Sequence, residues 1–498
     1  MKEKTSWDTA TEGTYADKCV PHLVFIFVLA LALIVVALPS VGMLWSRTDS
    51  TTENRELAEA PSLIGEDGSV NWNILDDAGT YFADHFAYRN QMVSANARIR
   101  AALETSATDQ VVVGSDGWLY YGGTLPDYLG QSTLSDRALH NIAHNLSLAQ
   151  GYVESHQATF AFTLAPNKNT LYPSHMPYYY LQADGPSNAD RLKLFLKEEG
   201  VNYIDLFDLF ESADGEWYLK KDSHWDNRGA LMAAQKILAT AAHDPLLLKA
   251  EDAETRIDFS GDLESMLYPV DVQFDENWYF PGINDKEGMA GSAWSYTQGG
   301  DVTDSMVVTD AKGGSGSLLM FRDSFGNALL PLLASAYKQG VFSKYVPYNL
   351  PTMVECQADT VVVERAERHL GYLAENPPIM LNPAVRLEVD APSAVQDNRA
   401  TLAVEENGPY WMVSGTVDES VMQDSTKIYV LVEGGNREPR TYDAFWTSVP
   451  DGEGGYSTDF GYLVYLNRES DSLAGSSIKV YSYDSGALNC LGVFDNLV

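Results

Sequence analysis

An α/β fold, with a membrane segment at the front and an all-β domain at the back, is what three features of the chain predict. A charge-free apolar stretch runs from His22 to Leu44. Short apolar runs at 159–165, 201–206, 315–321 and 359–363 alternate with helical patterns. From about Val389 the pattern changes to short alternating strands with turn clusters between them. The organisation expected is a short cytoplasmic N-terminus at 1–21, a transmembrane anchor at 22–45, and a linker and helical region at 46–110. An α/β domain follows at 111–388, interrupted by an insertion at 245–314, and a β-sandwich closes the chain at 389–498.

The first apolar stretch is long enough to cross a bilayer core of roughly 30 Å as a helix. Pro39-Ser40-Val41-Gly42 is a poor cleavage site, so an uncleaved, single-pass anchor is expected. Lys2, Lys4 and Lys18 precede it and Arg47 and Arg55 follow, a slight bias toward a cytoplasmic N-terminus. Beyond the linker a helical stretch spans Val70 to Leu103, where Asp84-His85 reads as a helix-surface pair or cap. Gly114 and Gly117 around Ser115-Asp116 mark a hairpin turn, with Trp118 to Tyr121 as the next strand. A helix is expected from Asp136 to His156, with His140, His144 and His156 at its surface or boundary.

The chemistry sits in two segments. Ser315–Phe321 (SGSLLMF) reads as a buried strand and Asn327 onward (NALLPLLASAY) as a helix, which puts Ser324 in a strand-to-helix turn. Asp222 and His224 precede another helix, Ala230 to Ala242. A serine hydroxyl becomes nucleophilic when an imidazole takes its proton, and a carboxylate fixes the imidazole tautomer and stabilises its cation. Ser324, His224 and Asp222 supply those three groups. The oxyanion donors proposed from the sequence are the Ser324 backbone N–H, then Arg322, then Asn327. Lys168 and Arg365 either contact a substrate carboxylate or phosphate, or belong to a charge network with Glu364, Glu367 and Arg368. His369 is a rival base.

Within 245–314, Asp285, Gly291, Gly299 and Gly300 mark turns, and Trp278, Tyr279, Trp294 and Tyr296 either stack on sugar rings or pack beneath a long loop. The last domain offers strands at Ala400–Val404, Trp411–Val417, Lys427–Val432, Tyr462–Leu466 and Ile478–Tyr483. Turn clusters at 433–436 and 451–455 separate them. Trp411, Trp446 and Tyr456 form a glycan platform or serve the core. Acidic residues outnumber basic ones 69 to 33, a net charge of −36, which argues against a nucleic-acid partner. Three cysteines make no disulfide framework; Cys19 borders the membrane segment, Cys356 and Cys490 read as separate thiols, and no metal-ligand spacing occurs.

The Asp/His loop and the serine turn resemble those of the SGNH-hydrolase superfamily, in a permuted order. Further segments match in sequence order: Glu53-Asn54-Arg55, Tyr81 to Phe86 with Arg89, Gly114 to Tyr120, Ala165 to Lys168, Gly261-Asp262-Leu263, and Glu364 to Arg368. Over residues 53 to about 370 the chain resembles the AlgX/AlgJ-type alginate O-acetyltransferases and, more closely, the DHHW family. Here the motif reads DSHW, with Ser223 at the first histidine position, and Arg322 stands where the superfamily has glycine. The resemblance implies a circularly permuted SGNH-like sheet with flanking helices, in a membrane-anchored, extracytoplasmic enzyme that acetylates polysaccharide hydroxyls. It also implies a membrane-bound O-acyltransferase (MBOAT) partner as acetyl donor, and no bound cofactor. A carbohydrate O-acetyl esterase with the same triad, and a non-catalytic glycan-binding or export-complex protein, are the alternatives.

Overall fold

The computed structural model describes residues 22–43, 45, 57–64, 68–101, 105–284, 292–387, 398–434, 438–452, 455–469, 473–484 and 486–495. Expectations for Cys19, for Glu53-Asn54-Arg55, for the turns at Asp285 and Gly291, and for 435–437 and 453–454 lie outside those residues. The chain divides into two units, one of residues 1–103 with 265–272, the other of 104–264 with 273–498.

The first unit is helical over much of what is described, with an isolated bridge between Ile64 and Val70 ahead of its second helix. His22–Gly42 is one helix, and Phe25–Gly42 is long and apolar enough to cross a membrane, with mean hydropathy 2.7. The stretch expected to be helical over Val70–Leu103 is two helices, Ile74–His85 and Arg89–Ala101. Tyr88, at φ 65°, breaks them, because a left-handed residue ends the helical hydrogen-bond run. Asp84 and His85 are buried rather than on the helix surface; the Asp84 carboxylate accepts from the Ala58 N–H at 2.9 Å.

The second unit is built on a seven-stranded mixed sheet. Its order is 203–204, 159–165, 360–366, 315–321, 337–343, 306–310, 295–298. The first five strands run parallel, and 306–310 is antiparallel to both of its neighbours, 337–343 and 295–298. Strand 159–165, early in the chain, pairs directly with 360–366, so the two ends of the α/β portion meet at the sheet centre. Central parallel strands are covered on both faces, which is why they read as unbroken apolar runs. Leu318 and Met320 enter one core cluster while Leu319 and Phe321 enter the other. Val362 and Val361 divide the same way.

Several boundaries differ from expectation. The apolar run 201–206 forms only a two-residue strand, Tyr203–Ile204, because Asp205 caps a helix at Leu206–Glu211. The helix before the sheet's serine-side partner ends at Ala336, and Tyr337 opens a strand to Ser343; Tyr345 lies beyond it. The end of the 245–314 insertion is not loop: Ser295–Gln298 and Met306–Asp310 extend the main sheet. Helix Asp136–Ser155 forms as expected, capped by the Ser135 hydroxyl on the Ala138 N–H. His144 on it is buried, however, with Nε2 3.2 Å from both the Ala444 carbonyl and Asp443.

The C-terminal region is two antiparallel sheets, in the orders 384–385, 440–443, 427–434, 476–484, 487–495 and 403–407, 410–416, 456–467, 445–450. This is a sandwich-like pair, with Val413, Val430, Tyr462 and Val480 between the faces. Strands 440–443, 445–450 and 487–495 were not anticipated, and the first expected strand shifts from 400–404 to 403–407. The sheets share a core with the α/β portion, since Leu139, Ile142 and Leu146 cluster with Phe445, Leu463 and Tyr465. Asn145 locks the junction: its Nδ2 donates to the Trp446 carbonyl at 2.7 Å and its Oδ1 accepts from the Trp446 N–H at 2.9 Å. Asn145→Ala would leave both backbone groups buried without partners, at a cost of about 2–4 kcal/mol. Denaturant unfolding checks this; an unchanged midpoint would contradict it.

Candidate active site

The Asp/His segment is a tight hairpin between sheet and helix. The Leu219 N–H donates to the His224 carbonyl at 3.1 Å and the Asp226 N–H to the Trp217 carbonyl at 2.8 Å. Asp226 then caps helix Asn227–Thr240, accepting from the Arg228 and Gly229 N–H groups. Trp225, fully buried, packs edge-on against Phe325 at 4.9 Å, and Phe325 packs edge-on against His224 at 4.7 Å. The aromatic contact thus joins the hairpin to the serine turn, and burying two such rings supplies about 2–3 kcal/mol each.

The three expected residues meet. His224 Nε2 is 2.8 Å from Ser324 Oγ, and His224 Nδ1 is 2.7 Å from Asp222 Oδ1. Asp222 Oδ1 also accepts from the His224 N–H at 2.9 Å, and Oδ2 from the Asp262 N–H at 2.9 Å. Burial pushes the Asp222 carboxyl up, but the His224 charge and these bonds outweigh it and hold the group down at about 2. For His224, burial favours the neutral ring, yet the Asp222 charge and hydrogen bond leave it above the usual imidazole value.

Asp262 is the residue whose role the sequence reading did not assign. Its Oδ1 accepts from the Ser223 N–H at 2.8 Å and its Oδ2 from the Ser223 hydroxyl at 2.6 Å. Gly261 permits this approach: a Cβ there would lie 2.2 Å from the Lys221 carbonyl oxygen. Asp222, His224 and Asp262 lie close enough to hold an ion. Their facing atoms are, however, already engaged by Ser324, Ser223 and backbone N–H donors.

The serine turn is equally braced. Strand Ser315–Phe321 ends, and helix Gly326–Ala336 begins two residues after Ser324. Asp323 accepts from the Phe325 N–H at 2.9 Å, the Ala366 N–H at 2.7 Å and His369 at 3.0 Å, while its own N–H donates to buried Glu364 at 3.1 Å. Burial opposes the Asp323 charge, but the His369 bond and the Arg368 charge overcome it and hold the carboxyl well below its usual range. Glu364, with burial and the Asp323 charge against it, is pushed well above. His369 therefore serves Asp323, and the imidazole within reach of Ser324 is His224's.

Two polar expectations change, those for Arg322 and Lys168. Arg322 is fully buried and turned away from the serine: it donates to the Asn327 side-chain oxygen at 2.6 Å and to the carbonyls of Asp323, Val302 and Asp304. It braces the turn; the Asn327 oxygen accepts from it, while the Asn327 Nδ2 group has no hydrogen-bond partner among the described residues. Lys168 is buried and donates to the carbonyls of Leu119, Lys220 and Asp222 at 2.7–2.9 Å, so it fastens the hairpin rather than a substrate. Burial lowers its pKa to about 7. Arg365 is buried as well, near the Tyr348 ring. The Ser324 N–H has no hydrogen-bond partner among the described residues. Lys168→Met should cost about 3 kcal/mol by stranding those carbonyls; thermal unfolding of the variant measures this, and an unshifted midpoint would contradict it.

Arg368 is the cation the sequence reading passed over. Half-buried, it lies 5.3 Å over the Phe325 ring and 5.6 Å over Tyr121, and makes no hydrogen bond or ion pair with a described residue. Only its proximity in space to the serine turn, not its place in a charged run, sets it apart.

The aromatic expectations divide. Trp446 is fully buried, with the Arg137 guanidinium and the His144 ring each 4.0 Å from its ring, and presents no face to a sugar. Trp294 is buried too, its indole N–H on the Ile283 carbonyl. Trp278 and Tyr279 each carry a guanidinium, from Arg228 and Arg256. Tyr296 and Trp411 are half-buried, Trp411 with Arg468 5.1 Å from its ring. Tyr456 donates to Glu375 at 2.9 Å. Cys356 and Cys490 are free thiols.

Residues 111–272 match a family model described as SGNH hydrolase-like domain, acetyltransferase AlgX. Two relatives carry the name probable alginate O-acetylase AlgJ. That of Pseudomonas syringae pv. tomato is 28% identical over 226 residues, 43% of this chain and 55% of the relative. That of Pseudomonas aeruginosa is 28% identical over 176 residues, 33% of this chain and 43% of the relative. The chain thus spans about half the length of the curated relatives it matches. Among solved structures, a DHHW family protein from Eubacterium siraeum aligns at 16% identity and TM-score 0.40, over 53% of this chain and 92% of that one. At the level of family, residues 111–272 match the SGNH hydrolase-like AlgX acetyltransferase model, and the chain is similar to two probable alginate O-acetylases.

Proposed function

We propose that this is a membrane-anchored, extracytoplasmic O-acyltransferase that moves an acyl group, acetyl in the first instance, onto hydroxyls of a cell-surface or secreted polysaccharide. The observation that carries the reading is the line of contacts from Ser324 Oγ through His224 to Asp222, at 2.8 and 2.7 Å. In the first half-reaction Ser324 Oγ attacks the acyl carbonyl, His224 Nε2 takes the hydroxyl proton, and the leaving group departs with that proton. In the second, His224 takes the proton of a glycan hydroxyl, whose oxygen attacks the acyl-serine, and returns that proton to Ser324 Oγ as the ester bond to the serine breaks. Asp222 stays ionised and stabilises the imidazolium in both.

The free N–H of Ser324 is the backbone donor for the tetrahedral oxyanion, with the Arg368 guanidinium, 5.3 Å over the Phe325 ring and in no hydrogen bond or ion pair with a described residue, as the nearby cation. Arg322, Asn327, Lys168 and Arg365 have no such part in this reading. The helix at Phe25–Gly42 serves as the anchor, and a membrane-bound acyltransferase is the proposed source of the acyl group. The test is mass spectrometry of surface glycans from cells making the intact chain or the Ser324→Ala chain. O-acetyl groups present with the first and absent with the second are expected; identical glycans would overturn the reading.

A further inference from the structure

One side of the α/β portion holds a cavity of about 390 Å³, lined by acidic and neutral polar groups. Its walls come from the helix Leu125–Tyr128, the segment Gln182–Asn188 and the helix Leu206–Glu211, with Glu367 on its lining. The segment is held against the first helix by the Ala183 N–H on the Tyr128 carbonyl at 2.9 Å. Glu367 is 5% exposed; its Oε2 accepts from the Asn167 N–H and the Thr170 hydroxyl at 2.8 Å, and its Oε1 has no partner among the described residues. A buried carboxylate oxygen left open to a cavity fits an O–H donor arriving from outside.

The position relates the cavity to the chemistry. Glu367 precedes Arg368, which lies over both Tyr121 and Phe325, the residue after the nucleophile. Tyr121 in turn leads through 122–124 into Asp127 on the cavity wall. Three consecutive tyrosines, Tyr178 to Tyr180, run into the wall at Gln182; Tyr178 and Tyr179 are exposed and pack edge-on at 5.5 Å. Aromatic faces beside hydrogen-bonding groups suit the C–H faces and hydroxyls of sugars.

We infer that this cavity binds a stretch of acceptor glycan that carries no acidic groups, a neutral hexose or N-acetylhexosamine chain rather than a polyuronate. The inference rests on the reading that the chain acylates a polysaccharide. The lining carries Asp127, Asp184, Asp190, Asp208, Glu211 and Glu367, while its one ammonium, Lys193, is paired with Asp205. A uronate carboxylate would meet like charge there, whereas hydroxyl and amide groups find acceptors.

Calorimetric titration of the detergent-solubilised full chain carrying Ser324→Ala tests this without turnover. Cello- and chito-oligosaccharides serve as neutral probes and an oligomannuronate as the acidic one. At least one neutral probe should bind about tenfold or more tightly than the acidic one. Asp208 and Glu211 are exposed and their side chains have no described partner, so the paired change Asp208→Arg, Glu211→Lys leaves the fold intact. That change should weaken neutral binding and raise oligomannuronate binding. Equal or tighter binding of the acidic probe, neutral binding unmoved by the paired change, or no neutral binding would each overturn the inference. Acylation of Ser324 in the unaltered chain is scored separately. Labelled serine with a silent cavity removes only the cavity assignment, and bound glycan with an unreactive serine removes only the triad.

Discussion

Ser324→Ala is expected to lower acyl transfer from an activated ester by about ten-thousandfold or more, since no other hydroxyl lies on His224 Nε2 at 2.8 Å. The fold should survive the change. Ser324 is half-buried at the start of a turn held by Asp323, Arg322 and Glu364, and the hydroxyl adds none of those contacts. Unfolding midpoint and far-ultraviolet dichroism should therefore match the parent while turnover disappears. Turnover retained within tenfold would mean that another nucleophile carries the reaction.

Asp222→Asn should separate geometry from charge. The side chain keeps its size, but its amide cannot stabilise the imidazolium and favours the wrong tautomer, so the plateau rate should fall by about ten-thousandfold. The pH dependence carries a second, signed expectation. His224 must be neutral to accept the serine proton, so the rate falls as pH drops through its pKa. Burial lowers that pKa, and the Asp222 charge and bond more than restore it, placing the acid limb above the usual imidazole range. Asp262 adds to the rise, with its Oδ2 3.9 Å from His224 Nδ1, and Arg368 opposes it. Removing the Asp222 charge should move the acid limb to lower pH. A limb that stays in place would show that Asp222 does not set the ring's protonation.

The parts of the structure legible in the sequence are those with an unbroken local signal. Ser315–Phe321 forms at the expected bounds because glycine and serine precede it and an apolar run fills both faces of a central parallel strand. The helix-to-strand passage at Ala336–Tyr337 has no glycine or proline to mark it, so Tyr337 reads as more helix. Strands 440–443 and 445–450 are separated by a single residue and merge into one ambiguous stretch.

Long charged side chains were the least legible. In a linear reading Arg322 is a candidate oxyanion donor and Lys168 a substrate contact or a member of a charge network, yet each is buried and spends its donors on backbone carbonyls or a neighbouring amide. Where such a side chain points depends on which carbonyls the fold leaves unpaired, and no local pattern records that. Arg368 was hidden for the opposite reason: it sits in a run with Glu364 and Glu367, but those carboxylates turn toward Asp323 and Asn167. The burial of His144, which reads as a surface or boundary residue, and the choice of core over platform for Trp446 are not legible locally, because the docking of helix Asp136–Ser155 against strand Phe445–Pro450 is a long-range event.

The most direct measurement is peptide-level mass spectrometry of the purified full chain, incubated with an activated acetyl ester and quenched in acid. The expected result is a single acetyl group on the peptide bearing Ser324, absent from Ser324→Ala and strongly reduced in His224→Ala. An acetyl group on a different residue, or equal labelling of all three proteins, would contradict the account.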